Sequence, residues 1–251
     1  IAFLQNRKTI CNVRQSSIFL RHASIFSNSL AFINLFTYRF ADSVIFNSDF
    51  GRKSHEIKYL PKFKSVVVKN GLPTTLKSNS NKLRTSEKFI SELYLGFVAR
   101  NNKIKNFGMF QQICWEVSGI LPTKALVFGD GYERENIKSN SQRANIFTFK
   151  GFVHDKEEIY SDLDILVVTS KSEGMPNNVL EALSAGLWVV CYPVGGLIEL
   201  THPRLLKVKR YSVQSYVDAI LDVVLNKPSC ETTIEYDTEE MSIKKYISRI
   251  K

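Results

Sequence analysis

Ser170-Lys171-Ser172-Glu173-Gly174-Met175-Pro176-Asn177-Asn178-Val179-Leu180-Glu181-Ala182 reads as the end of a strand, a tight turn and the first turns of a helix. The apolar run 165–169 supplies the strand, Gly174 permits the turn, and Pro176 with Asn177 starts the helix. A helix start presents unpaired backbone N–H groups and a partial positive charge, which suit a phosphate. Glu173 stands just before that start and Glu181 lies inside the helix, a Glu-x7-Glu spacing. Two carboxylates flanking an anion-binding helix start can accept hydrogen bonds from sugar hydroxyls on either side of a diphosphate. The same spacing equally allows a helix N-terminal anion at Glu173 and a surface carboxylate at Glu181.

Outward from this stretch the pattern is regular. Apolar strands are expected at 94–98, 125–128, 146–149, 165–169 and 188–191. Helices are expected at 107–117, 133–139, 157–162, 178–185, 212–225 and 239–250. Alternating strands and helices with short turns imply a parallel sheet covered on both faces. Ligands of such sheets sit beyond the carboxyl ends of the strands, so function belongs to the loops after Val98, Phe128, Phe149, Thr169 and Cys191. The first of these loops carries Arg100, Lys103 and Lys105, cations suited to a phosphate chain. The second reads Phe128-Gly129-Asp130-Gly131. It is not a dinucleotide fingerprint, because Arg134 stands where a third glycine belongs, but Gly129 and Gly131 still let a ligand approach the backbone. Asp162-Leu163-Asp164 mimics a metal-binding Asp-x-Asp but lies where a helix runs into a strand, and is read as structural; no metal site is expected.

The first half is less regular. Strands are expected at 8–13, 43–46 and 65–68. An amphipathic helix is expected at 24–40, and a second one capped by Asn47-Ser48 and running to about residue 59. Residues 74–88 are rich in Ser, Asn and Lys and read as a linker. The organisation expected is an N-terminal unit over 1–72, a linker over 73–90, a second unit over 91–232 and a closing helix in 233–251 that crosses back. The chain begins at Ile1 in mid-pattern, without a signal-peptide layout, and is read as lacking its beginning.

Composition narrows the classes. No apolar run reaches membrane-spanning length; the nearest, 25–40, is broken by Asn28, Asn34 and Arg39. Four dispersed cysteines have no zinc or redox spacing, which points to a reducing cytoplasm. The net charge is +10, and residues 1–90 carry 15 Lys and Arg against 4 Asp and Glu, the rest 19 against 20. The basic half faces a phospholipid surface, a pyrophosphate-linked acceptor or only solvent. It has no compact basic motif interleaved with aromatics, so nucleic acid is not an expected partner.

Glu173 to Ala182, followed by Gly186, Val189, Val190 and Gly195-Gly196-Leu197-Ile198-Glu199, resembles the hallmark of the family 4 retaining glycosyltransferases. Arg100 with Lys105, Gly129-Asp130-Gly131 and Gly151 fall in that family's order. Asn70-Gly71 resembles its domain junction, and residues 40–48 the late part of its acceptor-side domain. The resemblance implies an α/β GT-B fold of two Rossmann-like domains, the N-terminal one incomplete here. It also implies a site without cofactor or metal. Arg100 and Lys105 would hold the donor diphosphate, Glu173 would meet the transferred sugar, and Glu181 the ribose. The backbone of Asn177, Asn178 and Val179 would approach the phosphates, and the loop with Phe152 would edge the base.

Three departures stand out. Ala99 and Asn106 replace glycines, and the stretch where the family has a histidine reads Cys11-Asn12-Val13-Arg14-Gln15-Ser16, with Arg14 or Gln15 at that position. No catalytic base is therefore assigned, and His22 and His55 are read as structural or exposed. The expected activity is retaining transfer of a hexose-type sugar from a nucleoside-diphosphate sugar to a glycan or lipid-linked acceptor. Its setting would be cell-surface polysaccharide or lipid-linked glycan assembly, in the cytoplasm or at the inner, anionic face of a membrane. The alternatives are a sugar-nucleotide binder that does not transfer, such as an epimerase or inactive subunit, and a basic membrane- or nucleic-acid-binding Rossmann protein.

Overall fold

Strands β4 (Leu93–Val98), β5 (Thr123–Phe128), β6 (Phe147–Gly151), β7 (Ile165–Val168), β8 (Trp188–Cys191) and β9 (Leu205–Lys207) form one parallel sheet in the order β6-β5-β4-β7-β8-β9. The computed structural model describes residues 9–14, 38–56, 64–73, 92–132, 145–226 and 238–250. The sheet alternates by twos. Leu93, Leu95, Phe97, Ala125, Val127, Ile165, Val167 and Val190 bury one face, and Leu126, Phe128, Leu166, Val168, Val189 and Cys191 the other. Both faces are apolar because helices cover both, the hallmark of a doubly wound sheet. On the first face lie α2 (Phe107–Ser118) and α5 (Val213–Asn226), through Phe110, Ile113, Tyr216 and Ile220. On the second lie α3 (Lys156–Ser161) and α4 (Asn177–Ser184), through Ile159, Val179, Leu180 and Leu183.

A smaller parallel sheet precedes it, β1 (Ile10–Val13), β2 (Ser43–Phe46) and β3 (Ser65–Val67), in that order. Helix α1 (Asp49–His55) follows β2, and the expected cap is in place: the Ser48 hydroxyl accepts the Gly51 amide at 3.0 Å. The closing helix α6 (Glu239–Ile250) begins beside this sheet, with Thr238 bridging to Leu72.

The differences from the sequence reading have local causes. Residues 38–40, expected in the long helix, form a single 3-10 turn, because the chain must swing into β2. Asp42 ties that turn to β1, its carboxylate accepting the Thr9 amide at 2.6 Å and its amide donating to the Thr9 carbonyl at 2.9 Å. Residues 24–37, the expected helix at 133–139 and the linker at 74–88 lie outside the described residues, as does His22. Helix α1 ends at His55, four residues short of the expected end. Strand β9 carried no signal: three half-buried residues on a sheet edge show no diagnostic alternation. Asp164 is structural, as read, with its carboxylate accepting the Tyr94 amide at 2.8 Å and locking β4 to the entry of β7.

The end of α4 shows how the chain is turned back toward the site. Gly186, at φ 82°, donates to the Leu183 carbonyl at 3.0 Å, and Leu187 to the Ala182 carbonyl at 2.9 Å. This paired closure needs a residue that tolerates positive φ, and it drops Leu187 into the core at the mouth of β8.

Two histidines are held neutral by burial. His55 is 1% exposed, with Nδ1 donating to the Gly51 carbonyl at 2.8 Å, and burial lowers its pKa. His202 accepts the Arg204 amide on Nδ1 at 3.0 Å, and burial, then the Arg204 charge, push its pKa down to about 4. Both rings take up a proton more readily in the unfolded chain, so stability falls as pH drops from about 6.5 toward 4. Thermal melts across that window should show a falling Tm, with a shallower fall in His202→Gln.

Candidate functional site

The strand order of the large sheet reverses between β4 and β7, and the crevice outside their carboxyl ends is where such folds take ligands. The loops after these two strands are stitched together. The Thr169 hydroxyl donates to the Lys105 carbonyl at 2.8 Å, and the Lys171 amide to the Ile104 carbonyl at 2.8 Å. Asn106 starts α2 in the left-handed conformation, φ 53°, which explains how asparagine serves at a position where glycine is the usual choice. Its side chain donates to the Tyr211 hydroxyl at 2.7 Å, and that hydroxyl donates to the Thr169 carbonyl at 2.7 Å. Tyr216, wholly buried on α5, donates to the Val168 carbonyl at 2.7 Å and holds the end of β7 from beneath; burial keeps its phenol protonated far above neutral pH.

This bracing brings Lys105 to Glu173, with Nζ 2.6 Å from Oε1. Glu173 is 8% exposed, so it is a buried ion-pair partner. Both line a cavity of about 230 Å³ with Arg14, Asn47, Asn70 and the start of α4. Pro176 occupies the cap position and makes no side-chain cap, which leaves the amides of Asn177 and Asn178 for a ligand.

Glu181 is not the surface carboxylate its spacing equally allowed. Its side chain is 14% exposed; Oε1 meets Lys156 Nζ at 2.8 Å, and Oε2 accepts the Tyr160 hydroxyl at 2.8 Å. Burial, and then the nearby Glu181 charge, drive the Tyr160 pKa well above its usual value, so the phenol is a fixed donor. Lys156 and Tyr160 were missed from the sequence, since nothing in their spacing ties them to a carboxylate a helix away.

The remaining expected residues separate. Asn177 accepts from Asn70 Nδ2 at 2.7 Å and so meets the smaller sheet's side of the cleft. Asn178 lines the cavity but also braces the sheet, its Nδ2 donating to the Val98 carbonyl at 2.8 Å. The Val179 side chain is fully buried and its amide donates to Asn178 Oδ1 at 2.9 Å. Gly129 and Gly131 take φ values of 126° and 80°, and a Cβ on Gly129 would sit 1.9 Å from the Ala99 carbonyl oxygen. Their freedom lets the β5 loop lie against the β4 loop. Arg100 is exposed in the β4 loop and Phe152 is 67% exposed beyond β6; neither lines the cavity holding Lys105 and Glu173.

The two sheets meet at backbone. A Cβ on Gly174 would stand 2.1 Å from the Arg14 carbonyl oxygen, and one on Gly196 2.1 Å from the Gly174 carbonyl oxygen. The Gly196 amide donates to that Gly174 carbonyl at 2.6 Å. Beside this contact, Glu199 accepts the amides of Asp49 and Phe50 at the start of α1 and pairs with Lys69 at 3.3 Å.

The sequence profile of the Glycosyl transferases group 1 matches residues 92–226, more than half of the 251 residues. The chain belongs to that family. TuaC of Bacillus subtilis (strain 168), named as a teichuronic acid biosynthesis glycosyltransferase, is 35% identical over 99 residues, covering 39% of this chain and 24% of that protein. The 2-deoxystreptamine N-acetyl-D-glucosaminyltransferase of Streptomyces fradiae is 30% identical over 149 residues, covering 56% of this chain and 35% of that protein. The matches thus span about a third or less of these relatives' lengths. Among solved structures, Anabaena HepE in complex with UDP-glucose is 21% identical with a TM-score of 0.69, covering 99% of this chain and 69% of that one. A mutant of S. aureus TarM, solved with UDP and alpha-GlcNAc-glycerol, is 14% identical with a TM-score of 0.72, covering 98% and 51%. The fold of this group 1 chain is the α/β GT-B arrangement with Rossmann-like parallel sheets that its sequence led one to expect.

Gly174→Ala should cost about 1–3 kcal/mol in urea unfolding, because the Arg14 backbone must withdraw. Tyr160→Phe should lower stability by about 1 kcal/mol by leaving Glu181 Oε2 without its donor, and should weaken any nucleotide held by that carboxylate in a binding titration.

Proposed function

We propose that this group 1 chain carries the donor site of a retaining glycosyltransferase, which moves a hexose-type sugar from a nucleoside-diphosphate sugar to an acceptor hydroxyl. The observation that carries the reading is the Lys105–Glu173 pair beside the uncapped start of α4, at the point where the strand order reverses. A diphosphate leaving group develops negative charge as the glycosidic bond breaks. In this reading Lys105 and the first-turn N–H groups of α4 neutralise it, with Arg100 of the adjoining β4 loop as a further cation, and fixed charges need no reorganisation at that moment. As a phosphate draws Lys105 away, Glu173 is left to accept hydrogen bonds from hydroxyls of the transferred sugar. Glu181, oriented by Tyr160, is the acceptor for ribose hydroxyls one turn deeper. Phe152, exposed beyond β6, is the candidate edge for the base.

In this reading the donor lies along the large sheet and the acceptor enters from the small one. The acceptor class is a glycan or lipid-linked saccharide, and the setting cell-surface polysaccharide or lipid-linked glycan assembly. The names of the curated relatives, teichuronic acid biosynthesis and 2-deoxystreptamine glycosylation, support a glycan-building or hydroxyl-acceptor role. Among the described residues no helix is long and apolar enough to cross a membrane. The basic bias of residues 1–90 supports work in the cytoplasm at an anionic membrane face.

A panel of UDP-, GDP- and ADP-sugars, assayed for binding and for transfer, tests this directly. Lys105→Ala and Arg100→Ala should each lose about a hundredfold in turnover. Glu181→Ala should weaken nucleotide affinity about tenfold or more by calorimetry, from loss of hydrogen bonds to a charged acceptor. Wild-type transfer rates in both cation variants would overturn the assignment. Nucleotide binding without transfer or donor hydrolysis would turn the reading to a sugar-nucleotide binder.

A further inference from the structure

A second cavity, of about 420 Å³, adjoins the first and is lined by the carboxyl ends of the small sheet, by α4 and by α6. Its volume is that of a small-molecule site. Arg14, at the end of β1, lines both cavities. Three other cations line them, and each has a carboxylate: Lys105 has Glu173, Lys156 has Glu181, and Lys69 has Glu199. Among the described residues, Arg14 lies within ion-pair distance of none. Beside it the cleft holds buried polar atoms that lack partners. Asn47 is 6% exposed and lines both cavities with an unpartnered Oδ1, and Ser242, 8% exposed on α6, lines the larger one with an unpartnered Oγ. Buried polar atoms without partners cost free energy, and a bound ligand that pairs with them removes that cost.

Together these groups ask for one ligand chemistry. We propose that the substrate portion seated against Arg14 carries an oxyanion, a carboxylate or phosphate, next to a hydroxyl that donates to Asn47. The planar guanidinium takes an oxyanion with two parallel hydrogen bonds, which a neutral sugar does not offer. The other cations are committed to carboxylates of the nucleotide site or the sheet contact, so Arg14 makes the choice between anionic and neutral substrates. The inference deepens the glycosyltransferase reading and rests on it for what the ligand is part of. Two sources fit: a uronate on the donor sugar, or a phosphate or carboxylate on the acceptor.

The test uses the full chain, wild type and Arg14→Gln, with equal thermal melts as the check on folding. UDP, GDP and ADP are titrated first, and the nucleotide that binds is carried forward. The donor arm compares its glucose and glucuronate conjugates; the acceptor arm compares glycerol 3-phosphate with glycerol in the presence of the nucleotide. In one arm the anionic probe should bind about tenfold or more tighter than its neutral counterpart. That advantage, taken as the ratio of anionic to neutral affinity so that any change shared with the bare nucleotide cancels, should vanish in Arg14→Gln and return in part in Arg14→Lys. The responding arm identifies the source. An equal preference in wild type, or an anionic preference that survives Arg14→Gln, overturns the proposal. If no nucleotide binds, the donor-site reading falls instead, and Arg14 is judged from glucuronate and glycerol 3-phosphate alone against glucose and glycerol.

Discussion

The close stacking of three backbone segments at Gly174 is the contact on which the cleft depends. The carbonyl of Arg14, at the end of the small sheet, lies where a Cβ of residue 174 would be. The Gly174 carbonyl in turn receives the Gly196 amide, again at a distance that excludes a Cβ. A side chain at 174 would force back the Arg14 carbonyl and with it the end of the small sheet, and one at 196 would displace the Gly174 loop itself. With both absent, the carboxyl ends of the two sheets face one another across a space the size of a small ligand. Glu199, a few residues further on, secures the same approach by accepting the first amides of α1. Its charge also suits the positive end of that helix.

Within the cleft, charge is arranged in pairs that a ligand must rearrange. Lys105 with Glu173 and Lys156 with Glu181 satisfy one another, which limits the cost of burying either carboxylate. On the donor-site reading proposed above, a phosphate competes for the lysine and frees the carboxylate for hydroxyls, so that binding one part of a sugar nucleotide would prepare the site for the other. The second layer is neutral and rigid. Tyr160, Tyr211 and Tyr216 each give a hydroxyl hydrogen to a fixed acceptor, and the two buried phenols are kept protonated by desolvation. Such donors hold carboxylate and strand ends in place without adding charge.

Much of the large sheet was legible because its strands are buried on both faces and its helices are amphipathic. β4, β5, β7 and β8 fall within a residue or two of expectation, as do α2, α4 and α5. In the half of the chain that precedes them, β1, β2 and β3 also fall within two residues of expectation, whereas the 3-10 turn at Tyr38–Phe40 lies where the apolar spacing suggested the end of a long helix and tertiary contacts override it. Among site residues, Glu173, Lys105 and the start of α4 were visible because one loop motif and one strand end place them. The Val179 amide was harder to place from sequence, because the partner it takes is a neighbouring side chain, Asn178, that turns back onto it.

By itself, the sequence determined the α/β alternation, the turn at Gly174, the helix start at Pro176 and the two carboxylates on either side of it. These follow from local rules of periodicity, φ preference and missing N–H groups, which act over a few residues. Only the tertiary structure decided that Glu181 pairs with Tyr160 and Lys156, and that Lys105 answers Glu173 across 68 positions. It alone decided that Arg14 lines the cleft with no carboxylate in ion-pair reach among the described residues. Such pairings rest on the strand order, which sets which chain ends share a crevice, and no spacing along the chain encodes that order.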